Sequence, residues 1–511
     1  MGTNTTNPII WADVPDPDII RAGDVYYMTS TTMYFSPGCP VMKSKNLVNW
    51  EIVSYVYDIL DNSDSNTLQN GKHAYGQGSW ASCIRYKSGI CYVLFAANNT
   101  GKTYIFQTRD VENGPWERYI FEGIYHDASL LFDEDGRVYM IYGASTIRIK
   151  ELKADATAIK PGGLDEVIIE DADISGTKSL AEGSHVYKLN GMYYIFIIGW
   201  PKIGSGRRIQ ICYRSDKIDG PYEGRIVLDD SMGFHNAGVA QGGIVDTPNG
   251  DFYSLLFQDR EAVGRVPVLV PVKWEEGWPV FGVEGAVPKH MDIFVKDAGT
   301  SNIIKSDDFD GACLGLQWQW NHNPDNDYWS LGKHPGWLRL ENGSTSRSLT
   351  DARNTLTQRS FGPSCSGYIL MDVSNMQNGD FAGLAALQDH YGFVGVKMEG
   401  GKKYVVMCLA PQTNISVREQ HKYKSGIPED EIASFPMEQD FVYLRIDFNF
   451  KNAVDEAEFY YALQEDEWIK IGDTLKMSYR LSHFTGYRFA LFNFATLGLG
   501  GYVDFDFFRI R

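Results

Sequence analysis

Five times along the first half of the chain a turn glycine is followed, three residues later, by a tyrosine at the head of an apolar run. The copies are Gly23-Asp-Val-Tyr26, Gly89-Ile-Cys-Tyr92, Gly136-Arg-Val-Tyr139, Gly191-Met-Tyr-Tyr194 and Gly250-Asp-Phe-Tyr253. Each reads as a hairpin turn feeding a buried strand: YYMTST, YVLFAA, YMIYGA, YIFIIG and YSLLFQ. The tyrosines are spaced 66, 47, 55 and 59 residues apart. About four short strands fit in each interval, the size of a propeller blade. Plain hairpins in a sandwich or an open sheet would give a similar pattern. Helical periodicity is scarce. The pattern predicts an all-β chain: a five-bladed β-propeller over residues 1–293, a linker over 294–306 and a β-sandwich of jelly-roll type over 307–511. The last part alternates polar and apolar residues over short runs and ends in Gly501-YVDFDFFRIR.

A length of 511 residues agrees with more than one core. The net charge of −18 repels phosphates and anionic lipid, so neither nucleic acid nor membrane is an expected partner, whereas neutral sugars are unaffected. No apolar run reaches membrane-helix length. The seven cysteines are odd in number and form no CxxC pair, which predicts buried free thiols in a reducing compartment. The first residues, MGTNTTNPII, lack a basic and an apolar signal region. The expectation is a cytoplasmic protein, with the oligomeric state left open.

The chemistry is sought where blade-start strands converge at the mouth of the ring. Three carboxyl groups lie shortly upstream of a repeat glycine. Asp16, in Val-Pro-Asp16-Pro-Asp18, is held between prolines, which suits a base that must fix one water; Asp18 competes for the role. Asp127, in Tyr-His126-Asp127-Ala-Ser129, enters an apolar strand and is expected to be partly buried. Glu182, in Leu-Ala-Glu182-Gly-Ser-His185, has small uncharged neighbours, and burial would favour its protonated form. Taken singly, each could be an ordinary turn, strand-end or loop carboxylate. Their shared phase makes the set stronger than its members. Paired carboxyl groups around a sugar are what glycoside cleavage requires. No Walker A, GxSxG, HExxH or dinucleotide fingerprint stands in a fitting context.

These residues resemble glycoside hydrolase family 43. The resemblance rests on Asn7-Pro-Ile-Ile, Pro15-Asp16-Pro17-Asp18-Ile, Gly23-Asp-x-Tyr-Tyr27, SKNLVNW, Gly78-Ser-Trp80-Ala, Asp127-Ala-Ser, Glu182-Gly-Ser-His and Gly264-Arg265-x-Pro. The back half is similar to the concanavalin-like sandwich of the xylosidase and arabinofuranosidase branches. The resemblance implies an inverting mechanism with Asp16 as general base, Glu182 as general acid and Asp127 tuning and orienting the acid. It implies that Arg265 contacts the sugar hydroxyls and that Trp80 and Tyr34 or Phe35 wall the terminal sugar. The family often carries a histidine near the propeller centre, bound to calcium or water; Gln241 stands at that position, with His235 six residues earlier. Asp308 and Asp506 match places where related sandwiches bind a structural calcium. No organic cofactor is implied.

The function expected is exo-acting release of β-D-xylose, α-L-arabinofuranose or both from xylo-oligosaccharides or arabinoxylan fragments. The insert Tyr55–Tyr75, or the sandwich, would close the pocket. A non-catalytic carbohydrate-binding protein is the alternative, although a binding module has no need of three aligned carboxyl groups.

Overall fold

The computed structural model describes residues 3–176, 178–293, 303–411 and 423–511. Most of the expected linker, residues 294–302, lies outside the described residues. Five consecutive four-stranded antiparallel sheets make the propeller. Their first strands are Asp18–Ala22, Ser79–Lys87, Ser129–Phe132, Ala181–Leu189 and Ile244–Asp246. The repeat explains the architecture. All five repeat glycines have positive φ, between 64° and 86°, which is why the hairpin turns use glycine. All five repeat tyrosines are buried in the second strands, Val25–Thr29, Ile90–Ala97, Val138–Tyr142, Met192–Gly199 and Phe252–Asp259.

Each blade is made from one continuous stretch, so the ring must close by side chains and by the N-terminal segment. Asn7 does part of this: its Nδ2 donates to the Leu269 carbonyl at 2.8 Å and its Oδ1 accepts from Leu269 N–H at 2.9 Å. Arg21 donates through Nε to Asp246 Oδ1 at 3.1 Å, joining the first blade to the fifth. On the ring axis Asp18 and Arg85 form a buried ion pair at 2.6 Å. Arg85 also donates to the Leu130 carbonyl at 2.9 Å, Ser129 Oγ at 2.8 Å and the Val186 carbonyl at 3.3 Å. One guanidinium thereby ties four blades together.

The second half is a sandwich of two antiparallel sheets. The sheet facing the propeller runs Asp430–Met437, Lys402–Leu409, Gly392–Glu399, Asp380–Leu387, Arg488–Ala495, Leu356–Arg359 and Gln319–Asn321. Its edge is extended by Phe35–Ser36 from the propeller, which pairs with Gln319–Asn321. The two halves therefore share one sheet. One large apolar core fills the sandwich and includes Ala262, Val263 and Val266 of the propeller. Six cysteines are buried and Cys313 is exposed, a departure from the expectation that all would be buried; none is paired. No described helix is long and apolar enough to cross a membrane.

Candidate active site

Three carboxyl groups from three blades meet at one end of the ring, together with His126 and Arg265. Asp16 stands two residues before the first strand of blade one with φ 51°, a left-handed conformation between its prolines. It is 4% exposed and both its oxygens are occupied: Oδ2 accepts from Thr31 Oγ1 at 2.6 Å and Oδ1 from Arg265 Nη1 at 2.5 Å. Two donors on one carboxylate fix its orientation. Arg265 opens the third strand of blade five, Arg265–Glu275, and its guanidinium lies 4.5 Å from the Phe257 ring centroid and 4.7 Å from that of Phe484. Asp259 lies 3.5 Å from Arg265 Nε and also pairs with Arg208, a half-buried arginine that no sequence motif singled out.

Asp127 precedes the first strand of blade three, with φ 46°. Burial, reinforced by the charges of Glu182 and Asp16, pushes its carboxyl up to about 7, against the opposing pull of His126 and Arg265. Glu182 lies on the first strand of blade four, where the register shifts between Glu182 and His185. That bulge sits on Gly183, with φ 71°, packed against the Gln241 side chain. Glu182 is the more open of the two carboxyl groups, its side chain 20% exposed against 6% for Asp127. Its Oε2 lies 2.8 Å from His126 Nε2. Burial works against a charge on His126, but the hydrogen bond to Glu182 and the charges of Asp127, Glu182 and Asp16 outweigh it and raise the ring to about 9. His126 belonged to a quoted motif without an assigned role; only the fold brings it to Glu182.

The competing candidate Asp18 is excluded from this cluster. It is fully buried, accepting from Ile84 N–H at 2.9 Å, Arg85 at 2.6 Å and His185 Nδ1 at 3.0 Å. Burial opposes its charge, but Arg85 and His185 prevail and hold its carboxyl below the usual range. It is a structural group of the ring axis.

The aromatic expectations divide. Trp80, on the first strand of blade two, stacks on Phe484 of the sandwich at 5.5 Å and 17°, and lies 6.0 Å from His126. It stands beside the carboxyl cluster. Phe35 and Tyr34 require correction. Phe35 is 3% exposed, carries the Arg488 guanidinium 3.6 Å above its ring and pairs by its backbone with the sandwich. Tyr34 stacks on His322 at 4.9 Å, and its hydroxyl lies 3.3 Å from His483 Nδ1. Both are interface residues, because the loop carrying them is drawn into the sandwich sheet. The insert ending at Tyr75 docks there too: Tyr75 stacks on His483 at 4.0 Å, and Ala74 N–H donates to His322 at 2.9 Å. The aromatic wall beside the cluster comes from Phe484 instead, which sequence reasoning missed.

At the positions expected to hold calcium, the side chains have partners within the protein. The Gln241 backbone N–H donates to Gln210 Oε1 at 2.7 Å, its side chain packs on Gly183, and Arg85 already supplies positive charge to the axis. Asp308 is paired with Arg509, and Asp506 stands near Asp308, Arg509 and His334. Among the described residues neither Gln241 nor the Asp308–Asp506 pair belongs to a group of three or more acidic, histidine or cysteine side chains close enough to share an ion. Calcium usually takes six or more oxygens.

The profile described as "Glycosyl hydrolases family 43" matches residues 5–279, and "Beta xylosidase C-terminal Concanavalin A-like domain" matches residues 306–511. The chain belongs to glycoside hydrolase family 43. This family 43 chain is 28% identical over 563 aligned positions to a β-xylosidase of Formosa agariphila, covering 98% of this chain and 89% of the relative. It is 28% identical over 378 positions to a non-reducing end α-L-arabinofuranosidase of Bacteroides ovatus, covering 69% of this chain and 68% of the other. A bifunctional GH43–CE protein of Bacteroides eggerthii superposes with a TM-score of 0.92 at 48% identity, covering all of this chain and 64% of that one.

Proposed function

We propose that the chain is an exo-acting, inverting glycosidase that releases terminal β-D-xylose, α-L-arabinofuranose or both from xylan-derived oligosaccharides. One observation carries the reading: Asp16 is clamped by Thr31 and Arg265, while Glu182 stands in the same cluster, partly open and beside a buried Asp127. The first group is built to hold one orientation and the second to meet a substrate oxygen. In the proposed reaction Asp16 takes a proton from a water, the water oxygen attacks the anomeric carbon, and Glu182 gives a proton to the departing glycosidic oxygen. Asp127, raised to about 7 by burial, adds negative potential beside Glu182 whenever it ionises and so favours the acid keeping its proton. The two sugars present similar hydroxyls and ring faces, and the similarity to a β-xylosidase and to an arabinofuranosidase supports either. The Trp80–Phe484 stack supports a closed, terminal-sugar site.

The test is release of 4-nitrophenol from the β-D-xylopyranoside and the α-L-arabinofuranoside by wild type, Asp16→Ala and Glu182→Ala. Turnover of at least one substrate by wild type and its loss in both variants is expected. Activity surviving both changes would remove the assignment, and tight oligosaccharide binding without turnover would favour a binding protein. Long internal products from xylan would overturn exo action.

A further inference from the structure

His126 is the one group of the cluster for which the two-carboxylate scheme has no use. Its position is nonetheless specific. Nε2 lies 2.8 Å from Glu182 Oε2 and 3.6 Å from Asp127 Oδ2, and the side chain is 30% exposed. It thus touches the acid on one side and solvent on the other. The charged groups facing it are Asp127 on its own loop, Glu182 from blade four and Asp16 from blade one, while Trp80 of blade two flanks it without charge.

We propose, resting on the glycosidase reading, that His126 is a positioning residue of the general acid: it orients Glu182, shares one proton with it and restores that proton after each turnover. The protons balance. The one shared proton passes from the imidazolium Nε2–H to the Glu182 carboxylate, which gives it to the leaving oxygen, and the ring is left neutral. The neutral ring is reprotonated from solvent, while Asp16 releases to solvent the proton it took from water. Net, glycoside and water give sugar and alcohol. The ring supplies this proton only while it is protonated, so the alkaline limb of activity reports its loss. That limb is expected toward the value near 9 to which His126 is raised. Without the imidazole the remaining raised group beside Glu182 is Asp127, at about 7.

The experiment compares wild type, His126→Gln and His126→Phe in the full chain, on phenyl and 4-nitrophenyl glycosides of the sugar that wild type turns over. Glutamine keeps a hydrogen-bond donor without the titration; phenylalanine removes both. In both variants the alkaline limb of kcat/KM should fall by more than about one pH unit, and kcat on the phenyl glycoside should drop at least ~10-fold more than on the 4-nitrophenyl glycoside, whose better leaving group needs less protonation. Inhibition by the free pentose should be unchanged. An unmoved or rising limb, equal losses on both leaving groups, or a matching loss of pentose affinity would overturn the proposal. If His126→Phe does not fold, His126→Gln alone decides. A wild type without turnover would instead be a failure of the glycosidase reading. The ring's titration, followed by NMR, still tests the pairing: it should drop toward the ordinary histidine range in Glu182→Gln, and an unchanged titration would overturn it.

Discussion

At the scale of single residues the site is a matter of which carboxyl group receives which partners. Asp16 and Asp18 are two positions apart in one Pro-Asp-Pro-Asp run, yet one faces Arg265 and the other Arg85. The prolines marked the segment but not the partners, because both arginines lie far along the chain. Arg265 contributes a planar fork, not only a charge. Arg265→Lys should therefore lower kcat by about tenfold or more while the fold persists, measured by steady-state kinetics beside a melting curve. Asp127 carries a stability prediction. Its folded carboxyl titrates near 7, above the ordinary aspartate range, so its stabilising contribution is complete in acid and is lost as pH rises through 7. Asp127→Asn, which never ionises, should gain melting temperature relative to wild type between pH 5 and pH 8, while losing activity. A gap that does not change with pH would show that the buried carboxyl does not titrate as described.

At the scale of elements the five hairpins were legible because the requirement is local: a glycine that accepts positive φ and a tyrosine that fills the blade interior. The bulge at Glu182 was not legible, since it depends on Gln241 of the neighbouring blade lying against Gly183. A Cβ at residue 183 would stand 2.7 Å from the Gln241 side chain and would force an unfavourable left-handed conformation. Gly183→Ala should thus move Glu182, lowering kcat by about tenfold or more with a smaller change in KM. Equal effects on both constants would place the damage elsewhere. The strand Phe35–Ser36 could not be read from the sequence either. Two residues carry no periodicity, and their pairing partner lies nearly three hundred residues away. Two aromatic residues in such a segment looked like a sugar wall and proved to be the join between the halves.

At the scale of the whole molecule the sandwich is part of the site. Gly486 N–H donates to Asp13 Oδ2 at 2.8 Å, Arg265 N–H donates to Asp13 Oδ1 at 2.8 Å, and Arg359 Nε donates to the Asp13 carbonyl at 2.9 Å. One buried aspartate, three residues before the proposed base, thereby fixes the sandwich against the propeller. That junction presents Phe484 between Trp80 and Arg265. Phe484→Ala should raise KM for the 4-nitrophenyl glycoside by about tenfold, the worth of one aromatic contact to the bound sugar, and should lower the melting temperature because the Trp80 stack and the Arg265 cation–π contact are lost as well. An unchanged KM would show that the ring does not border the bound sugar. The sequence by itself determined the all-β class, the count of five blades, the sandwich that follows and the three carboxyl positions. Each of these depends on a short-range period or on residues that the chain itself places at equivalent points of a repeat. Only the tertiary structure decided that Asp16 and not Asp18 joins the cluster, that His126 reaches Glu182, that Phe484 and not Tyr34 or Phe35 stands beside Trp80 and Arg265, and that Asp308 pairs with Arg509. Those outcomes rest on contacts between distant segments, where burial and charge pairing choose among residues that look alike along the chain.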